Sequence, residues 1–245
     1  MFDAVDSCCL IVGCGRSGST ILGAILDAHP EVICANESRA SANFWRGYDR
    51  DSLFAELHEN ALAQRASGRQ SEGYTYAIAA GNEDAPIRVV ADKTWNPALV
   101  MLHGRATLIA ELGEMTGVPI RFLHAIRNPW DVIATMHLRS GATLADRAHW
   151  YFIFCDAATA LMQRGDLEWM DVHHEALIDA PRDHVAAITA FLGLEADAQF
   201  IEACAATINT EPSQSRERVD WPADVAALIE SRMPHYPFLE RYLSR

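Results

Sequence analysis

Short apolar runs alternate along the chain with longer stretches whose apolar positions recur at a helical period. The runs predict strands that are buried on both faces, and the longer stretches predict amphipathic helices that pack on a sheet. The predicted strands are Cys8–Gly13, Glu31–Ala35, Ile87–Ala91, Ile120–Ile126 and Trp169–His173. The predicted helices are Gly18–His29, Asp51–Gln64, Ala98–Met115, Trp130–Leu138, Thr143–Gln163, Pro181–Leu192 and Asp197–Ile208.

Polar segments separate these elements, and Ser67–Gly73, Gly81–Pro86 and Thr210–Asp220 are predicted to be loops. Strands that alternate with helices need crossover connections, which produce a mostly parallel sheet with helices on both faces. We therefore expect residues 1–245 to form a single α/β domain of three layers. In such sheets ligands bind at the carboxyl ends of the strands, so the chemistry is expected in the loops that follow them.

The charge balance restricts what the protein can bind. Lys and Arg number 20 against 33 Asp and Glu, which gives a net charge of −13. Such an acidic chain disfavours binding to nucleic acids or to anionic membranes, because both need clustered basic residues. An anionic ligand must instead be held by a few local cations and backbone amides.

The chain also lacks the usual signs of export or of a structural metal. Acidic residues lie at the start, where a signal peptide would be basic, and no run approaches the roughly 18 apolar residues of a membrane span. The six cysteines form no C-x-x-C pair and have no metal-ligand spacing. We expect a cytoplasmic protein with reduced thiols and no metal.

The loop after the first strand has the spacing of a phosphate-binding loop. Gly13 and Gly18 bracket four residues, as in G-x-x-x-x-G-K-[ST], and Thr20 fills the hydroxyl position. Amides at the start of the following helix would point toward an anion. Ser19 replaces the lysine that contacts nucleotide triphosphates, which weakens an ATPase or kinase interpretation. A glycine-rich turn without a ligand is the alternative.

The loop after the fourth strand offers a second anion site. Arg127 ends the strand, and Thr135 and Arg139 lie four residues apart on one face of the next helix. Two arginines and a hydroxyl suit a terminal phosphate, although a capped helix with solvent-facing arginines is the alternative. Two such sites at neighbouring strand ends indicate a ligand with two separate anionic groups.

Together these motifs resemble the sulfotransferases, and most closely the tyrosylprotein sulfotransferases and similar bacterial enzymes. The family has P-R-S-G-T-T, followed by L-D-A-H-P, a cysteine and E-x-R, and also R-N-P-x-D-V and Y-E-x-L … F-L-G-L. The matching segments here are Arg16–Thr20, Leu26–Pro30, Cys34, Glu37–Arg39, Asp92–Thr94, Arg127–Val132, Val172–Leu177 and Phe191–Leu194.

The resemblance implies a P-loop-like fold and 3′-phosphoadenosine 5′-phosphosulfate (PAPS) as the co-substrate. It assigns the 5′-phosphosulfate to the first loop and the 3′-phosphate to the second. The implied cofactor-binding residues are Arg16, Ser17, Gly18, Ser19, Thr20, Arg127, Thr135, Arg139, His174 and, from a basic segment that cannot be aligned, Arg216. Gly15 replaces the family's proline, Thr135 its serine and His174 its tyrosine.

The resemblance also implies the catalytic residues. Glu37 falls at the position of the family's catalytic glutamate, so we expect it to be the general base, and Arg39 is expected to bind or orient the acceptor. Arg16 and Lys93 would stabilise charge on the bridging and leaving oxygens. Alternatively, Glu37 is only a cap or a salt-bridge partner of Arg39, and Lys93 only a solvated lysine.

The predicted activity is metal-independent, in-line sulfuryl transfer from PAPS to a hydroxyl group of a small molecule, glycan, lipid or peptide. A sulfuryl group carries less charge than a terminal phosphoryl group, so the reaction needs a metal less. The alternatives are a nucleoside or small-molecule kinase that uses ATP and magnesium, and a catalytically silent nucleotide-binding module.

Overall fold

A computed structural model describes residues 1–38, 47–71, 74–76, 85–105 and 107–243. Within these ranges, five strands form one sheet in which every neighbouring pair is parallel, in the order β2-β5-β1-β6-β7. A separate antiparallel ribbon is formed by β3 and β4. The strands are β1 (Ser7–Gly13), β2 (Val32–Asn36), β3 (Arg69–Ser71), β4 (Tyr74–Tyr76), β5 (Val89–Lys93), β6 (Ile120–Ile126) and β7 (Glu168–His173).

Helices connect the parallel strands and also follow the last one. They are α1 (Ser19–Asp27), α2 (Arg50–Ser67), α3 (Ala98–Gly104), α4 (Leu108–Thr116), α5 (Pro129–Ser140), α6 (Leu144–Met162), α7 (His174–Asp179), α8 (Pro181–Phe191), α9 (Ala198–Thr207) and α10 (Ala223–Arg232). Short 3-10 turns occupy Ser215–Arg218, Met233–His235 and Pro237–Tyr242.

The sheet lies between two hydrophobic cores. Successive side chains of a strand point to opposite faces, and along β1 Cys8, Leu10 and Val12 enter one core while Cys9 and Ile11 enter the other. The first core contains apolar side chains from α2 to α6 and α10, and the second contains side chains from α1 and from α7 to α9. The α/β class and the three layers predicted from the sequence are therefore confirmed.

Two of the predicted segments differ from the structure. Residues 98–115 form two helices, because α3 ends at Gly104, a poor helix former, and Arg105 is extended at φ −126°. The predicted loop Ser67–Gly73 contains β3, whose backbone groups pair with β4; residues 72 and 73 lie outside the described ranges. Residues 81–84 of another predicted loop also lie outside them.

The sequence pattern missed several elements near the carboxyl terminus. Helices α7 and α10 were not predicted, and Ser215–Arg218 is a 3-10 turn within a predicted loop. Helix α7 and the 3-10 turn are too short to show a hydrophobic periodicity, whereas α10 has ten residues and was simply not predicted. In the described part of the chain, no helix has the length and apolarity needed to cross a membrane. All six cysteines are buried free thiols.

Candidate active site

A cleft of about 950 Å³ lies at the carboxyl edge of the sheet, and residues at or after the ends of all five strands line it. Arg16 follows β1, Glu37 follows β2, and Lys93 ends β5. Arg127 follows β6 and His174 follows β7. Because parallel strands end at the same edge, residues from five distant chain segments meet there, as the sequence predicts.

The first loop is shaped by a glycine and held by an asparagine. Gly18 precedes α1 with φ 91°, and a Cβ atom there would lie 2.6 Å from Nδ1 of His174. Both the backbone conformation and the available space therefore require glycine. The amide of Gly15 donates a hydrogen bond to Oδ1 of Asn96 at 2.8 Å, which ties the loop to the segment after β5.

Arg16 and Glu37 share an unusual backbone conformation. They are the non-glycine residues with positive φ in the described part of the chain, at 77° and 50°. Such conformations cost about 1–3 kcal/mol each and persist where the surrounding structure imposes them, often at functional sites. Both residues line the cleft.

Glu37 and Lys93 form a salt bridge on adjacent strand ends. The Glu37 amide also donates to the carbonyl of Lys93 at 2.8 Å, so both backbone and side chain connect the two residues. The Lys93 side chain is 12% exposed, whereas the Glu37 side chain is 48% exposed. A carboxylate with this exposure can reach a group that enters the cleft.

Arg127 lines the cleft and is buried next to the first loop. Its Nη1 donates to the carbonyl of Arg16 at 3.2 Å, and its Nη2 donates to the carbonyl of Ser213. The hydroxyl of Thr135 donates to the carbonyl of Asp131 at 2.6 Å, and its Oγ1 can accept a hydrogen bond from the hydroxyl of Ser215 at 2.9 Å. Arg139 also lines the cleft. The three residues predicted to form a second anion site thus line the same cleft, together with residues of the segment 209–218.

Arg216 is held by Asp131 instead of turning into the cleft. The buried Asp131 carboxylate accepts hydrogen bonds from the Arg216 backbone amide at 2.9 Å and from its Nη1 at 2.6 Å. Burial raises the pKa of Asp131, and the two arginines near it, Arg127 and Arg216, oppose that rise. The pair anchors the segment 209–218, from which Arg218 does line the cleft.

His174 presents a partly buried ring beside the first loop. Its Nδ1 atom is buried and has no hydrogen-bond partner within the described structure. Burial, with the positive charge of Arg127 nearby, lowers the pKa of His174 to about 4, so the ring is neutral at pH 7. The next residue, Glu175, accepts a hydrogen bond from the amide of Asn128 at 2.9 Å and another from the hydroxyl of Tyr242.

The remaining predicted residues divide into three groups. Gly18, Ser19 and Thr20 line the cleft with Arg16. Ser17 is buried and borders a small cavity between the loop and β6. Arg39, predicted to bind the acceptor, lies outside the described residues.

Sequence reasoning missed several residues of this site. Asp131 lies within the motif Arg127–Val132, and Asn96 lies two residues after the motif Asp92–Thr94, so the positions of both residues were usable signals. Ser215 and Arg218 lie in the basic segment from which the sequence analysis selected only Arg216, whereas Tyr76 follows no motif.

The charge of the cleft contrasts with that of the whole chain. Among the described residues, five basic side chains and two acidic ones line it. The basic residues are Arg16, Lys93, Arg127, Arg139 and Arg218, and the acidic ones are Glu37 and Glu211. The cleft is therefore suited to an anion with several charges. No group of three or more His, Cys, Asp or Glu within the described ranges is arranged to hold a metal ion.

Comparisons with known proteins agree with this geometry. Residues 9–96 match the model of a family described as "Sulfotransferase family". A Caenorhabditis briggsae protein, whose name places it provisionally among the protein-tyrosine sulfotransferases, is 24% identical over 219 residues, covering 82% of this chain and 70% of its own.

Solved structures of sulfotransferases have the same fold. The sulfotransferase domain of the Synechococcus PCC 7002 olefin synthase has a TM-score of 0.53 at 17% identity, over 93% of this chain and 94% of its own. A sulfotransferase from Alicyclobacillus acidocaldarius has a TM-score of 0.52 at 15% identity, over 97% and 95% respectively. These findings support sulfuryl transfer as the class of activity. They confirm the predicted resemblance to the sulfotransferase family, and the chain has the fold of that family.

Proposed function

We propose that the cleft binds PAPS and that the protein transfers its sulfuryl group to a hydroxyl group of an acceptor. When bound, PAPS supplies the sulfuryl group and leaves as adenosine 3′,5′-bisphosphate (PAP). The observation that carries the proposal is that cationic side chains from the loops after β1 and β6 line one cleft together with the Glu37 carboxylate, which follows β2.

The residues present fit a ligand with two anionic ends. The loop before α1 contributes Arg16, Ser19 and Thr20 at a helix start, where the helix dipole favours an anion. Arg127, Thr135 and Arg139 would hold the 3′-phosphate, and a phosphate accepts stronger hydrogen bonds from a guanidinium than a neutral carbonyl does. His174 lines the cleft beside Gly18 and would contact the nucleotide.

Glu37 would act as the general base. An alcohol is a poor nucleophile, so a carboxylate that takes the hydroxyl proton while the oxygen attacks sulfur lowers the barrier. The new O–S bond forms as the bond between sulfur and the phosphate oxygen breaks. Lys93 and Arg16 would balance the charge that develops on the leaving oxygen. The Glu37–Lys93 salt bridge would hold the carboxylate in position until the acceptor enters.

We further propose that the reaction needs no metal. Ser19 occupies the position of the lysine that binds nucleotide triphosphates, and the arginines and Lys93 can supply the positive charge themselves. The test is the initial rate in excess EDTA. Full activity is expected; a loss that magnesium restores would favour the kinase alternative.

The acceptor is proposed to be a hydroxyl group on a small molecule, glycan, lipid or peptide. The name of the Caenorhabditis briggsae relative makes a peptide tyrosine one candidate to include. A panel with one acceptor of each class and sulfur-labelled PAPS distinguishes them, since label transfer identifies the class directly.

Binding provides the first test of the function. PAP should raise the thermal unfolding midpoint, and at a concentration about 100 times its Kd the added stability is about 2.7 kcal/mol. Adenosine 5′-phosphate and ATP with magnesium are the controls. Stabilisation by ATP with magnesium but not by PAP would indicate a kinase. Binding of PAP without label transfer to any acceptor class would indicate a silent nucleotide-binding module.

A further inference from the structure

A buried arginine lies beneath the strand that leads to Glu37. Arg69 belongs to β3 and its side chain has no exposed surface. Its Nη1 donates a hydrogen bond to the carbonyl of Ala35 at 3.3 Å, and its Nη2 donates to the carbonyl of Cys34. These two carbonyls lie two and three residues before Glu37, so the guanidinium holds the backbone from which the proposed base projects.

A buried aspartate also bonds to the backbone of β2. Asp27, the last residue of α1, is fully buried, and its Oδ2 lies 3.6 Å from Nη2 of Arg69. Its Oδ1 accepts a hydrogen bond from the amide of Cys34 at 3.0 Å. The pair therefore holds both the N–H and the C=O of Cys34, on the edge strand of the sheet.

The helix above leaves room for this guanidinium. A Cβ atom at Gly23 of α1 would lie 2.6 Å from Nη1 of Arg69, so any larger residue would displace it. Buried arginines are rare, and a buried ion pair adds little stability compared with apolar residues of similar volume. The stability of the fold therefore does not by itself explain why an arginine lies at this position.

The backbone at Glu37 does need support. Its φ of 50° is a strained conformation that the neighbouring structure must impose. On one side the Glu37 amide bonds to the carbonyl of Lys93. On the other side the support comes from Arg69, whose ribbon also carries Tyr76 into the cleft.

We propose that Arg69 is a positioning residue for Glu37: it fixes the end of β2 so that the carboxylate meets Lys93 and the acceptor hydroxyl. This inference rests on the proposed function, because it takes Glu37 as the base. A misplacement of about 1 Å at a reacting group can cost roughly 100-fold in rate. The loss should appear in kcat and not in the binding of PAP, whose contacts lie elsewhere in the cleft.

The test compares Arg69→Met with a matched variant, Arg65→Met. Arg65 pairs with the same aspartate, but its Nη2 bonds to the carbonyl of Val32 at the other end of β2. Arg69→Met should lower kcat by about tenfold or more, with the Kd of PAP within about twofold of wild type. Arg65→Met should lower the unfolding midpoint as well, but keep kcat within about threefold. Arg69→Lys, which keeps the charge, should recover part of the lost rate.

A second readout does not depend on turnover. Amide hydrogen exchange at residues 34–37 should become faster in Arg69→Met, while exchange in β1 and β6 stays at the wild-type rate. A wild-type protein that binds no PAP and transfers no label would refute the proposed function, and this exchange pattern would still decide the positioning role. Unchanged exchange at residues 34–37, or normal kcat in Arg69→Met, would overturn the inference. An equal loss of kcat in Arg65→Met would overturn it too.

Gly23→Ala provides the variant to use if Arg69→Met does not fold. Alanine is the better helix former, so α1 itself should gain stability. Its methyl group would displace the guanidinium of Arg69, and we expect lower kcat with faster exchange at residues 34–37. A fully active Gly23→Ala protein with wild-type exchange would contradict the proposed role.

Discussion

Lys93 donates a charged hydrogen bond to Glu37 across the boundary between two adjacent strands, at the point where both strands end. Asn36 and Lys93 are register partners in β2 and β5, so the pairing of the strands itself brings the two side chains together. A base and a cation held by sheet hydrogen bonds need little rearrangement before reaction. Pre-organisation of this kind is a main source of catalytic power.

Replacement of the base should separate chemistry from binding. Glu37→Gln keeps the size of the side chain but removes its ability to take a proton, so kcat should fall by about 100-fold or more. The Kd of PAP should stay near that of wild type. The matched control is Glu211→Gln, which neutralises the other acidic residue of the cleft and should leave kcat nearly unchanged. Near-normal turnover in Glu37→Gln would refute its role as base.

Arg127 should determine the preference for a 3′-phosphate. Arg127→Met removes a charge-assisted contact worth about 2–4 kcal/mol when desolvated, so the affinity for PAP should fall by roughly 30-fold or more. The affinity for adenosine 5′-phosphate should change little. Arg121→Met, at the opposite end of the same strand, removes the Arg121–Glu168 ion pair and should leave the affinity for both nucleotides at the wild-type value. If Arg127→Met lowers the affinity for both nucleotides equally, Arg127 does not recognise the 3′-phosphate.

The position of the segment 209–218 should depend on the contact between Asp131 and Arg216. Asp131→Asn and Arg216→Met each break the same ion pair, so each should weaken PAP binding by about tenfold. The double variant should lose little more than either single one, because both substitutions remove one shared interaction. Isothermal titration of the three variants measures this coupling. Independent, additive losses would show that the two residues act separately.

His174 should contribute a pH-dependent term to stability. Its pKa is lowered from 6.5 to about 4 in the folded protein. Between these values the unfolded chain takes up a proton that the folded protein does not, so stability present above pH 6.5 is lost as the pH falls toward 4.

The unfolding midpoint measured from pH 7.5 to pH 5 tests this sign. His174→Gln should show a smaller fall of the midpoint than wild type. The control variant His103→Gln, in an exposed side chain of α3, should follow the wild-type curve. A His174→Gln protein with the full wild-type pH dependence would assign the effect to other groups.

The sequence predicted the parts of the site that lie next to strand ends in recognisable motifs. Arg16, Glu37, Lys93 and Arg127 follow apolar runs whose parallel arrangement brings them to one edge. Arg69 was not predicted, because a polar residue in a polar segment carries no sign that it will be buried. Its environment depends on contacts between α1, β2 and β3 that only the folded chain provides.

A similar limit applies to the segment after α9. Arg216 was expected to contact the nucleotide because the segment is basic, whereas the structure directs it to the buried Asp131. An anionic side chain and an anionic ligand can both bind Arg216, and which of them does so depends on distances that the sequence pattern does not contain. Only Arg218 of the two arginines in the 3-10 turn lines the cleft.

The place of β1 in the sheet has a consequence for the growing polypeptide. This strand precedes both of its neighbours in the chain, because it pairs with β5 on one side and with β6 on the other. Its loop can therefore gain its final shape only after residue 126 has been synthesised, and His174 completes the cleft later still. We therefore expect a nascent chain to bind the nucleotide only after residue 174 has been synthesised. Ligand binding during translation would then report that β1 has paired with both β5 and β6.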